Sequence, residues 1–232
     1  MNEEFVPAPG LAESWEISDD GLTYTFHLVQ NARFHDGTPV NAEAIVYNFD
    51  RIKNPDTGSP RASEISFVES YEAADEHTFV VRLSQPYAAF LPALASWSGM
   101  IVSPTAAETY GDDFIQHLVG AGPFKFVDHI RDDRILLVRN DDYFREGLPY
   151  LDQIIVRPFV DGEARVINLK SGALDMFYTI PGKDLEDLMS YPGVVVESVP
   201  GLGYSSMYIN TRSEALGNPY RRQALNYCVD RD

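Results

Sequence analysis

The chain has 232 residues, 18 of them basic and 35 acidic, for a net charge of −17. That balance argues against nucleic acid or an anionic membrane surface as partner, because both require a basic footprint. The single cysteine, Cys228, excludes an intramolecular disulfide and a thiolate metal cluster, and no run is apolar enough to span a bilayer.

The opening "MNEEFVPAPG" has neither the basic start nor the apolar stretch of a signal peptide. The stretch "PAPGLAESWEISDDGLTYTFHLV" predicts a hairpin. Trp15 and Ile17 alternate with polar residues before the turn at Asp20-Gly21, and Tyr24, Phe26 and Leu28 alternate after it. A second turn at Asp36-Gly37 leads into a helix with Asn41 as N-cap. Val40 is placed to staple against Ile45, and Ile45, Phe49 and Ile52 fall on one buried stripe. The Pro, Gly and Ser content of "NPDTGSPRAS" reads as a loop. A strand over "HTFVVRLSQP" follows, with Phe79, Val81 and Leu83 on one face, and then a short helix over "AAFLPALAS" despite Pro92.

The pattern changes at Ser103, where a domain boundary is expected. "SPTAAETYG" is a helix with Ser103 as N-cap, Pro104 in first position and Gly111 at its end. "PFKFVDHIRDDRILLVRN" is a hairpin turning near Asp132-Asp133. Next come three strands, "DQIIVRPF", "LDMFYTI" and "GVVVESV", alternating with the helices "GEARVINLKSG" and "KDLEDLMSY". That alternation indicates an α/β unit with mixed or parallel pairing. Near the end, "GYSSMYIN" alternates as a strand. Asn218-Pro219 starts a helix whose stripe of Leu225, Cys228 and Val229 needs a surface to pack on. A lone cysteine is most simply a buried thiol.

Catalytic chemistry is hard to find. The five histidines include no helical i, i+4 pair with a nearby carboxylate, so a zinc site is not indicated. "GAGPF" lacks the strand–helix context of a dinucleotide or phosphate loop and reads as a tight turn. Ser98 in "SWSGM" has one flanking glycine and no nucleophile-elbow context. Acidic pairs such as Asp132-Asp133 sit at expected turns. What remains is a set of aromatics in loops, Trp97, Tyr178, Tyr204 and Tyr208. Aromatics near strand ends and glycines can line a ligand cleft, although packing is their commoner use.

The stretches "PAPGLAESWEISDDGLTYTFHLVQNARFHDGTPVNAEAIVYNFDRI", "GAGPFKFV", "DRILLVRNDDYF", "PYLDQIIVRPFVDGEAR", "LKSGALD" and "YRRQALNYCVDRD" follow one another along the chain. Together, in this order, they resemble the family 5 extracellular solute-binding proteins of ABC importers, the dipeptide, oligopeptide and nickel binders. The resemblance implies a mixed α/β, type II periplasmic-binding-protein-like lobe with a small additional domain. Residues 1–103 resemble the small second domain, 104–202 the main α/β segment of the first, and 203–232 the crossover and start of a truncated third. The family's first strands and most of its third domain have no counterpart here.

The resemblance also implies a function. It is that of a non-enzymatic, cofactor-free binding protein, periplasmic or extracellular and membrane-associated. Such a protein captures a peptide or similar small solute between lobes and hands it to ABC permease subunits. Arg61, Trp97, Tyr178, Thr179, Tyr204 and Tyr208 match family positions near the cleft and are the expected ligand-binding residues, with no metal ligands. Arg61 stands where peptide binders can carry an aromatic, and favours an anionic or carboxylate-bearing ligand. The alternatives are a hydrolase using a carboxylate pair in the cleft, or a sensory module on the same fold. With part of the cleft lacking, weak or no solute binding is expected of this chain. A homodimer through 203–232 is expected to cover the apolar tail.

Overall fold

The computed structural model describes residues 6–199 and 206–229. The chain divides into two compact units that part between Pro158 and Phe159, so Ser103 lies inside the first unit.

The first unit is built on a four-stranded antiparallel sheet. Its strands β1 (Ala12–Ile17), β2 (Thr23–Leu28), β3 (Val68–Asp75) and β4 (Thr78–Leu83) lie in the order β1-β2-β4-β3. Strand residues alternate between faces, so Tyr24, Phe26 and Leu28 of β2 and Phe79, Val81 and Leu83 of β4 all turn to one side and are buried. Register aligns them, pairing Phe26 with Phe79 and Tyr24 with Val81. Helix α1 (Ala42–Lys53) closes over that face. It starts where the Asn41 side chain accepts the Ala44 amide at 2.9 Å. Its Ile45 and Phe49 are buried with the sheet, Ile52 packs at the margin, and Phe49 meets Phe79 edge-on with centroids 5.1 Å apart. Each such aromatic or large aliphatic side chain contributes roughly 1.5–3 kcal/mol by leaving water. Val40 packs with Ala32, Phe34 and Ala44 in an adjoining cluster, whereas Ile45 belongs to the main core, so the expected staple is a different contact.

Strand β3 is absent from the sequence reading. It lies at the sheet edge, paired to β4, with Val68 buried and Tyr71 and Ala73 half-buried, while Glu69, Glu72 and Asp75 are exposed. So acidic a stretch carries little of the apolar alternation that identifies strands.

Helix α2 (Phe90–Leu94) follows the sheet despite Pro92, and helix α3 (Pro104–Tyr110) is capped by Ser103, which accepts the Ala106 amide. A second sheet, β5 (Phe124–Ile130), β6 (Arg134–Arg139) and β7 (Gln153–Val156), is antiparallel throughout. Its hairpin turns at Asp132, which adopts φ 60°.

The second unit contains helices α4 (Gly162–Lys170), α5 (Leu185–Ser190) and α6 (Pro219–Tyr227). Ion pairs Lys170–Asp187 and Lys183–Glu163 tie α4 to the turn and helix that follow it. Here expectation and structure part. "LDMFYTI" and "GVVVESV" form no ladder, nor does the described part of "GYSSMYIN", and all sheet pairing among the described residues is antiparallel. A β-like pattern declares which face would be buried, but a strand exists only with a partner, and none is paired to these segments. Met176, Val195 and Val199 are accordingly exposed. Cys228, expected to be buried, is exposed, as are Leu225 and Val229. The apolar stripe at α6 is thus exposed, with no covering surface among the described residues.

Candidate functional site

Two loops of the first unit converge on one aromatic feature. After α1, Asn54 accepts the Asp56 amide and opens a 3-10 turn that ends at Gly58 with φ 59°. A second 3-10 turn, Ala62–Ile65, is anchored by the buried Ile65, and this fixes Arg61 and Glu64 at its start and third position. From the other side comes α2, anchored by Phe90 edge-on to Tyr24 with centroids 4.9 Å apart. The chain then doubles back in the turn Trp97–Gly99. Gly99 lies so close to α2 that a Cβ there would sit 1.8 Å from the Leu94 carbonyl oxygen. No residue with a side chain fits without moving that backbone.

The reversal buries Ser98 to 1% exposure and leaves Trp97 59% exposed. Ser98 donates its hydroxyl to Glu64 Oε2. The other carboxylate oxygen, Oε1, accepts from Arg61 Nη1 at 2.8 Å. The Arg61 guanidinium in turn lies over the Trp97 ring, 5.3 Å from its centroid. The Ser98 hydroxyl and then Arg61 hold the Glu64 carboxyl below its ordinary value, so it stays ionised. The result is a surface cluster with an exposed indole, a guanidinium laid on it, and a carboxylate that balances the guanidinium.

Arg61 and Trp97 are therefore brought together. Tyr178 and Thr179 belong to the second unit. Arg165 donates to the Tyr178 carbonyl at 3.3 Å and lies over Phe177 at 5.7 Å, and the Tyr178 ring is 83% exposed. Thr179 adopts φ 67°, a strained conformation for a β-branched residue and one that a binding loop can exploit. Tyr208 is 94% exposed. Tyr204 lies outside the described residues. Glu64, Ser98 and Gly99 escaped sequence reading as site residues. Ser98 and Gly99 lie in the "SWSG" stretch, whose serine and glycine flank Trp97, whereas no local pattern marks Glu64.

A cavity of about 940 Å³ in the first unit is lined by Tyr47, Arg51, Asp112, Phe114 and Ile115 among others, and does not include Arg61 or Trp97. A second, about 500 Å³, lies between residues 7–12 and the apolar face of the sheet. Among the described residues no group of three or more His, Cys, Asp or Glu side chains is placed to hold a metal ion.

The "GAGPF" turn is also structural in its contacts. The Gly122 carbonyl accepts from His35 Nε2 at 2.9 Å and from the buried Asn140 amide at 3.1 Å. Beside it, burial pulls the Asp36 carboxyl up, but bonds from Ser103 and Thr38 outweigh it and hold the group below its ordinary value.

A family model described as bacterial extracellular solute-binding proteins, family 5 Middle, matches residues 6–232. The chain is 35% identical over 222 residues to the glutathione-binding protein GsiB of Pectobacterium atrosepticum, covering 96% of this chain and 43% of that protein. The periplasmic binding protein DppA of Helicobacter pylori, solved with the peptide STSA, superposes with a TM-score of 0.83 at 30% identity. That match covers 96% of this chain and 48% of DppA. NikZ of Campylobacter jejuni, solved with Ni(L-His), gives 0.85 at 27% identity over 96% of this chain and 45% of NikZ. The chain thus spans less than half the length of the relatives it matches.

Proposed function

The chain belongs to the bacterial extracellular solute-binding proteins of family 5, and we propose from that membership that it supplies part of a solute cleft in an ABC importer. The solute class is a short peptide, a dipeptide or a similarly small molecule. The partners of the whole protein are the permease subunits, and its location is periplasmic or extracellular. The observation that carries this reading is the Trp97–Arg61 wall, an exposed indole whose guanidinium neighbour is bonded to Glu64, itself bonded to the buried Ser98. An exposed aromatic offers large contact area with few rotatable bonds, which is what a binding wall requires. Tyr178, Thr179, Tyr204 and Tyr208 are proposed to contribute from the remainder of the chain, and binding without turnover is the proposed activity. In family terms, 1–103 serves as the small second domain, 104–202 as the first-domain segment and 203–232 as the crossover.

Calorimetry on the full-length protein with peptide pools, glutathione and nickel-histidine tests the reading. Saturable binding that weakens when Trp97 becomes Ala is expected. Binding unchanged by that substitution would move the solute elsewhere, and turnover of the bound molecule would favour an enzyme. This chain, which spans 43% of GsiB, is expected to bind weakly by itself, because affinity rests on burying the solute's surface.

We also propose that two copies of this chain pair through 203–232, because Leu225, Cys228 and Val229, the stripe at α6 and just after it, are all exposed. Light scattering over a concentration series, repeated on a chain cut after Leu202, should show association only in the intact form.

A further inference from the structure

Arg61 alone would mark the wall as a carboxylate receptor. Its surroundings argue otherwise. The guanidinium already has a carboxylate partner in Glu64, at 2.8 Å, and its face is laid on Trp97. Glu64 cannot easily swing away, because its second oxygen accepts from Ser98, a side chain buried by the Gly99 reversal. The charge of the cluster therefore sums to zero before any solute arrives. A solute carboxylate that approached Arg61 would have to displace Glu64 or sit beside it, and like charges at that separation repel.

We infer that Glu64 is a specificity-determining residue, which neutralises Arg61 and pins it on Trp97 so that the part of the solute meeting this wall is uncharged, such as a peptide amide or an apolar side chain. This deepens the proposed function and rests on the wall facing the solute. It also reverses the expectation drawn from Arg61 in isolation. Glu64 is a positioning residue: it acts on the ligand through Arg61.

The charge logic can be read without knowing the solute. The chain has two tryptophans, Trp15 and Trp97, so Trp15→Phe leaves Trp97 as the sole reporter. Quenching of its fluorescence is compared for iodide, an anion, and acrylamide, which is neutral. In Glu64→Gln, nearly the same shape without the charge, the iodide constant should rise about two- to fivefold, the range expected on uncovering one side of an exposed ion pair. The acrylamide constant should stay level. Adding Arg61→Gln should return iodide quenching to its starting value. An unchanged iodide constant would overturn the inference. So would a parallel rise with acrylamide, which would mean that Glu64 only braces the turn.

A second arm uses the full-length protein with trialanine and trialanine amide. Glu64→Gln should shift the ratio of their affinities toward the free acid by a similar factor. If quenching behaves as expected but the ratio of the two affinities does not move, the solute-facing reading falls, and the assigned ligand class with it.

Discussion

Gly99 shows how a single residue can place another. Because its absent Cβ would lie 1.8 Å from the Leu94 carbonyl oxygen, Gly99→Ala must push the turn off α2. A loss of about 1–3 kcal/mol in urea unfolding is expected, as for other overpacked sites. Trp97 emission should change as well, since the indole rides on that turn. His35 makes a different kind of prediction. Burial, the largest effect, lowers the pKa of its imidazole from 6.5, and Lys125 adds to this, while the bond to Gly122 and the charge of Asp36 oppose it. Its Nδ1 is buried without a partner, so a proton there would have no acceptor. A depressed histidine is bound more weakly by protons in the folded state than in the unfolded. Its contribution is therefore whole above pH 6.5 and is lost as pH falls through the lowered folded value. Denaturation midpoints measured stepwise downward from neutral pH should decline over that window, and His35→Gln should flatten the decline. Asp36 loses its contribution separately, further down, as pH falls below the ordinary carboxylate value of 3.8.

At the scale of elements, α1 is tied to the segment leading into α3 by one side chain. Asn48 is buried; its amide donates to the Ala44 and Val102 carbonyls at 2.8 and 2.9 Å, and its oxygen accepts the Val102 amide at 2.9 Å. Asn48→Ala removes the partner of both half-buried Val102 groups, at about 1–3 kcal/mol for each group left unpaired. The cap variant Asn41→Ala should cost about 0.5–2 kcal/mol. Chemical denaturation of the two variants should rank Asn48 above Asn41, and the reverse order would mean that water replaces the Val102 contacts. Caps, turns and alternating strands of the first unit were legible in the sequence because each is decided within a few residues: Asn41, Ser103, Asp20-Gly21, and the Phe79–Leu83 face. Strand β3 and the unpaired stretches of the second unit were not, because pairing depends on a distant partner rather than on local pattern. The same limit applied to the site. Arg61 and Trp97 could be nominated from loop chemistry and resemblance, but their contact, and the part played by Glu64 and Ser98, arises only when two loops over 30 residues apart in sequence meet.

For the whole molecule, the two units differ in how much they bury. The first holds three apolar clusters, whereas among the described residues of the second, Val166 and Leu188 are the buried apolar side chains. A chain ending at Pro158 is therefore expected to unfold cooperatively by itself, and one beginning at Phe159 is expected to show no sharp transition. Circular dichroism melts of the two pieces check this; a sharp transition in the second piece would place a core where little burial is seen. The unpaired edge of the main sheet carries a further consequence. β3 exposes Glu69, Glu72 and Asp75 along its length, on a chain whose net charge is already −17. An open strand edge is an invitation to stack, and a row of negative charge withdraws it. The feature that hid β3 from pattern reading is thus what keeps neighbouring molecules from adding their own strands to the sheet. Replacing Glu69 and Glu72 with threonine, while Asp75 keeps its bond to the His77 amide at 2.8 Å, is expected to speed self-association, read as a faster rise of thioflavin fluorescence on standing; an unchanged rate would mean that the acids do not guard the edge.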